Sequence, residues 1–132
     1  MHEWALAEAI ISSVNKLAEK EGLTEIKEVK IKVGELQQIE VEILEFALSE
    51  LKTGKLKGAK FVIEMVKAKL RCRVCGNLWG FSRNKLDEQS IDAIHFVPET
   101  VHAYIKCPNC GSPDFEILDG RGVLLESVKG IK

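Results

Sequence analysis

All four cysteines of the chain fall in two short knuckles, Cys72-Arg73-Val74-Cys75-Gly76 and Cys107-Pro108-Asn109-Cys110-Gly111. Two residues between cysteines let both thiolates of a tight turn reach one ion, and the glycine after each pair can take φ > 0 so that backbone N–H groups face the sulfurs. Four such sulfurs make a tetrahedral tetrathiolate site. Matched knuckles with no thiol left over fit zinc better than a pair of disulfides or a redox CxxC. A four-cysteine site is saturated, whereas catalytic zinc keeps one position open for water or substrate, so the zinc expected here is structural. Zinc binding of this kind is worth about 10–16 kcal/mol in small peptides at neutral pH. The stretch from Gly76 to Lys106 is longer than the roughly 15–20 residues of a simple ribbon, so something extra is built between the knuckles.

His2 is a second candidate ligand of a different kind. With a free α-amine on Met1, the amine, the His2 backbone nitrogen and the imidazole Nδ1 can close fused five- and six-membered rings on one ion. A planar nitrogen field suits Ni(II) or Cu(II) rather than zinc. By chance alone a histidine at this position is a surface residue or a neighbour of a helix start.

The elements that must carry these groups are legible from periodicity. Leu6, Ile10, Val14 and Leu17, with Ala9 and Ala18 beside them, recur at helical spacing, and Gly22 stops that helix. Val29, Ile31 and Val33 alternate with Lys30 and Lys32 as a half-buried strand ending at Gly34. Val41, Leu44, Ala47, Leu48 and Leu51 form a second helical stripe, and Phe61, Ile63 and Met65 a second strand running toward Cys72. Between the knuckles, Gly76–Phe81 and Val101–Lys106 are expected as short strands and Ser82–Ser90 as loop. Asp114–Leu118 is expected to return as a ribbon strand. Val123–Val128 is too apolar for a tail and is expected to rejoin the first sheet. The expectation is an α+β, sandwich-like domain of two helices and a small three-stranded sheet, from residues 1–69 and 120–132, with a four-cysteine zinc ribbon inserted over 70–119.

Composition narrows the function. Lys+Arg 19 against Asp+Glu 20 gives a net charge of −1, which offers no whole-chain attraction to nucleic acid or anionic membrane. No signal peptide and no run of membrane-spanning length is visible, and with reduced cysteines a cytoplasmic address is expected. There is no phosphate loop, no GxSxG elbow and no HExxH, and occupied cysteines leave no thiol nucleophile, so no enzyme is expected. The competing reading is a zinc-ribbon module that binds RNA or protein without handling nickel, supported by Arg71, Arg73, Arg83 and Lys85 near the first knuckle.

Met1-His2-Glu3 before an amphipathic helix, Val33-Gly34-Glu35-Leu36, two CxxCG knuckles and a closing glycine-containing strand together resemble the HypA/HybF hydrogenase nickel-maturation family over essentially the whole chain. The resemblance implies a nickel-binding α/β domain with a structural zinc domain. It also implies delivery of Ni(II) to the [NiFe]-hydrogenase large subunit together with the GTPase HypB. On this resemblance Met1 and His2 match the nickel-binding terminus, and Glu3 matches its third position as outer ligand, hydrogen-bond partner or helix-start charge. The inter-knuckle segment looks like the longer, archaeal-type version of the family, and His95 in Ile94-His95-Phe96 matches the histidine that completes its square-planar site. Without the resemblance, His95 packs on Phe96 or caps a turn; His102 is expected to order the module. A homodimer, or exchange of the inserted module between subunits, is compatible with an insert on two connections.

Overall fold

The computed structural model describes residues 2–81, 86 and 88–132, and of His2, Glu88, Asp92 and Pro98 the backbone alone. The described elements are α1 (His2–Glu21), β1 (Glu25–Gly34), α2 (Val41–Leu51), β2 (Lys60–Val66), β3 (Lys69–Cys72), β4 (Leu78–Gly80), α3 (Glu88–Phe96), α4 (Val101–Tyr104), β5 (Phe115–Asp119) and β6 (Val123–Ile131). They divide into two compact units.

The first unit comprises residues 1–32, 39–64 and 124–132. Its sheet has the order β2-β1-β6, and α1 packs on α2. Ala7, Ile10, Val14 and Ala18 are buried on α1, three and four residues apart as an apolar stripe requires, and Leu44, Ala47 and Leu48 are their counterparts on α2. The strand after Val123 does rejoin this sheet: Thr24 N–H donates to the Ile131 carbonyl, and Glu126 of β6 pairs with both Lys30 and Lys32 of β1.

The second unit comprises residues 33–38 and 65–123. It is wider than the 70–119 read from the cysteine positions, because it runs from 65 to 123 and includes a segment from before α2. Its sheet is β4-β3-β5, both pairs antiparallel, with Leu70 opposite Trp79 on one side and Ile117 on the other. Leu36, Ala68, Leu70, Ile94, Val101 and Phe115 form its buried core, and Trp79 meets Phe115 edge-on at 5.3 Å.

Two local expectations are corrected. Val101–Lys106 is not a strand: Val101–Tyr104 is helical, following a 3-10 turn over Pro98–Thr100. The residues it turns inward are Val101 and, less completely, Ile105, and a four-residue interval belongs to a helix, whereas a strand repeats every two. The polar stretch Ser82–Ser90 was expected as loop; residues 82–85 and 87 lie outside the described residues, while Glu88–Ser90 opens α3. Ile91, Ile94 and His95 supply the helical spacing there, masked in the sequence by the polar first turn.

Candidate metal centre

The two knuckles are built bond for bond alike. Cys72 N–H donates to Asn77 C=O and Cys107 N–H to Ser112 C=O, both at 2.9 Å, and the glycine amides close back on the first cysteine, Gly76 to Cys72 at 3.0 Å and Gly111 to Cys107 at 2.8 Å. Both glycines have φ of +77°, the left-handed conformation that makes glycine the default at this place. β3 delivers Cys72, and its register opposite Phe115 of β5 anchors the first knuckle to the core.

The arrangement brings all four sulfurs within 4.8 Å of one another. Cys72 Sγ lies 3.5 Å from Cys110 Sγ, and Cys75 Sγ 3.6 Å from Cys107 Sγ. A zinc ion with Zn–S distances of about 2.3 Å sets tetrahedral S···S edges at about 3.8 Å, so the donor set fits it. Val74 and Cys75 N–H groups point at Cys72 Sγ at 3.4 Å. Two amide side chains join them, Asn109 Nδ2 at 3.5 Å from Cys75 Sγ and Asn77 Nδ2 at 3.9 Å from Cys107 Sγ. The Asn109 amide, with the Asn77 backbone N–H, draws the Cys75 thiol down to about 6. The Cys110 thiol goes the other way: the Ser112 N–H favours its thiolate, but contact with Cys72, burial and the remaining sulfurs push it up to about 12. Four crowded thiols cannot all ionise without a cation among them, and a divalent ion removes that conflict.

Glu3 is 4% exposed, on the same buried stripe as Ala7 and Ile10. Its Oε2 accepts the backbone N–H of Glu40, the residue that caps α2, at 3.2 Å. This is the reach-back contact of a capping box, made from a neighbouring helix, and it places negative charge at a helix N-terminus. Burial raises the Glu3 carboxyl, but hydrogen bonds, those from the backbone of Glu40 and of Glu3 itself among them, outweigh it and bring the group to about 2. Met1 lies outside the described residues, and His2 is described as the first residue of α1.

His95 stands in the last turn of α3, in the other unit from His2. Its Nδ1 lies 2.8 Å from the Gln37 carbonyl, and its ring meets Phe96 edge-on at 5.2 Å. A carbonyl only accepts, so Nδ1 carries the proton in the neutral ring and Nε2 the lone pair. His102 sits on the ring of Phe115, centroids 4.2 Å apart, with Nδ1 3.3 Å from Pro113 C=O, which fits the ordering role expected of it.

Of the basic residues behind the RNA reading, the two that are described make ion pairs within their own unit. Arg71 pairs with Glu116, and Arg73 with Asp114 at 3.2 Å; Arg83 and Lys85 lie outside the described residues. Sequence reasoning missed Asn77 and Asn109, whose amides meet the cysteine sulfurs, and Gln37 and Gln38, whose carbonyl and amide meet His95 and the Ile91 carbonyl of α3. An asparagine just after or inside a CxxCG knuckle is a signal that could have found the first two.

The family profile described as hydrogenase/urease nickel incorporation, metallochaperone, HypA matches residues 1–130. A hydrogenase maturation factor HypA from Pyrococcus abyssi is 47% identical, the match covering 98% of this chain and 95% of the relative. One from Ignicoccus hospitalis is 35% identical over 96% of this chain and 94% of its own length. The solution structure of the nickel metallochaperone HypA from Helicobacter pylori shares the fold, with a TM-score of 0.63 at 19% identity, covering 98% of this chain and 97% of that one. With its knuckles, its closing strand and its opening tripeptide in place over the full match, the chain belongs to the HypA family of nickel-incorporation metallochaperones.

Proposed function

We propose that this protein carries Ni(II) through the amine of Met1, the backbone nitrogen and imidazole of His2 and the imidazole of His95. It hands the ion to the large subunit of a [NiFe]-hydrogenase, with HypB as its GTPase partner, in the cytoplasm. Cys72, Cys75, Cys107 and Cys110 hold structural zinc, which supplies a cross-link and no reaction. The observation that supports His95 in the ligand set is its ring: donating Nδ1–H to a backbone carbonyl is how metal-binding histidines are oriented, and it puts the lone pair of the neutral ring on Nε2. Glu3 is not a ligand in this reading. Its carboxylate holds the start of α2 against the start of α1, and so steadies the helix that His2 opens.

The role needs no catalytic group. Nickel is cargo, held by nitrogens in a planar field and released by ligand exchange when a partner's donors replace His95 or the terminal chelate. Protons compete for the same amine and imidazole nitrogens, so affinity falls on acidification.

The deciding experiment is an optical nickel titration of zinc-loaded protein with its native Met1 amine, beside a version with one extra residue before Met1. The reading requires one Ni(II) per chain with a diamagnetic, square-planar spectrum in the native protein and loss of that spectrum in the extended one. Equal behaviour of the two would remove the amine from the site and the proposal with it.

A further inference from the structure

Every residue of the turn Glu35-Leu36-Gln37-Gln38 makes a defined contact within the second unit. Glu35 Oε1 accepts the Ala68 N–H at 2.8 Å, Leu36 fills the core and donates its N–H to Gly120 C=O, and Gln37 Oε1 accepts the Gly122 N–H at 3.1 Å. These three fix the turn to the ends of β3 and β5. The remaining two contacts reach α3. The Gln37 carbonyl accepts His95 Nδ1–H, and Gln38 Nε2 donates to the Ile91 carbonyl at 3.1 Å.

The two land on one helical turn. In an α-helix the Ile91 carbonyl is the acceptor for the backbone N–H four residues on, which is that of His95. Gln38 therefore holds the carbonyl at the base of the turn whose top residue is His95. Its backbone is in the left-handed conformation, φ 49° and ψ 44°, the only non-glycine residue so placed among those described. Glycine or asparagine is the ordinary choice there, and neither has an amide long enough to replace glutamine's. The chemistry also sets which way the amide faces, since a carbonyl needs a donor and Oε1 cannot supply one.

The geometry points to Gln38 as a positioning residue for His95. By tying the Ile91–His95 turn to the segment that bears the Gln37 carbonyl, it keeps both partners of the Nδ1–H···O=C bond in register. It thereby holds the imidazole in the tautomer whose Nε2 can take a metal. This deepens the nickel reading above and rests on it for its functional weight.

The test uses full-length, zinc-loaded Gln38→Met, which keeps length and removes the donor, with Gln38→Glu as a second variant that keeps shape and replaces the donor by an acceptor. Long-range ¹H–¹⁵N spectra of the nickel-free protein at mildly alkaline pH read the His95 tautomer, which a purely structural role for Gln38 would not move. The expected result is a single Nδ1–H form in the parent and a shift toward Nε2–H in both variants. Nickel affinity should fall about 10-fold, the lower end for loss of an outer-shell partner. In a His95→Ala background the same Gln38 change should cost no further affinity, because it acts through that ring. An unchanged tautomer in a folded variant, or an equal loss of affinity with and without His95, overturns the assignment. Should His95→Ala itself bind nickel like the parent, the ligand set proposed above fails, and the tautomer measurement alone decides whether Gln38 orients the ring.

Discussion

Glu3 illustrates how a residue's neighbours decide its work. In the sequence it reads as a helix-start charge or a member of a nickel-binding tripeptide, and nothing there says that it is buried. Folding depresses its carboxyl to about 2, so the stability it contributes is complete above the unfolded value near 4.5 and is lost as pH falls through about 2. Glu3→Gln keeps an acceptor for Glu40 but no charge, and it should lower stability to urea by about 1–3 kcal/mol at pH near neutrality. The deficit should shrink as both proteins are titrated toward pH 2; a constant deficit across that range would deny the carboxylate its role. The cysteines were legible because their spacing alone defines a coordination geometry. His95 was legible through the resemblance, and Gln38 was not, because a glutamine's donor has meaning only once a particular carbonyl lies within reach.

Among the elements, the end of β1 explains the motif Val33-Gly34-Glu35-Leu36 for which the sequence provides no reason. A Cβ on Gly34 would lie 2.3 Å from the carbonyl carbon and oxygen of Gly120, and one on Gly120 the same distance from Ala68 Cα. Three backbones cross here too closely for side chains, and the Glu35 carboxylate takes up the Ala68 N–H beside them. Gly34→Ala should cost roughly 3 kcal/mol or more by urea denaturation, because backbone atoms cannot yield as a side chain can. Leu70→Ala, a fully buried truncation on β3, should cost about 2–5 kcal/mol in the zinc-loaded protein. The helices α1 and α2 and all the strands bordering them followed from periodicity over long windows. The short α4 did not, since four residues make barely one turn and show no repeat, and its helical form is decided by Val101 finding the core of its unit.

At the scale of the molecule, each unit has its own core, and the second carries the four-cysteine site. Removing zinc with a chelator at neutral pH should expose the amides of β3, β4 and β5 to hydrogen exchange while those of α1 and α2 stay protected. A uniform rise in exchange along the chain would mean that the units do not fold separately. Among the described residues no helix is long and apolar enough to cross a membrane. The chain passes between the units at 32/33, 38/39, 64/65 and 123/124, so the cysteine-bearing unit is not a simple insert. Leu36, fully buried in its core, arrives on a separate excursion of the chain. A gene fragment covering 70–119 would encode every zinc ligand and yet lack two core residues, Leu36 and Ala68, and the turn bonded to α3. This zinc module is therefore not a transferable cassette, and grafting it onto another scaffold would require widening the fragment to 65–123 and splicing in the hexapeptide Val33–Gln38 as well.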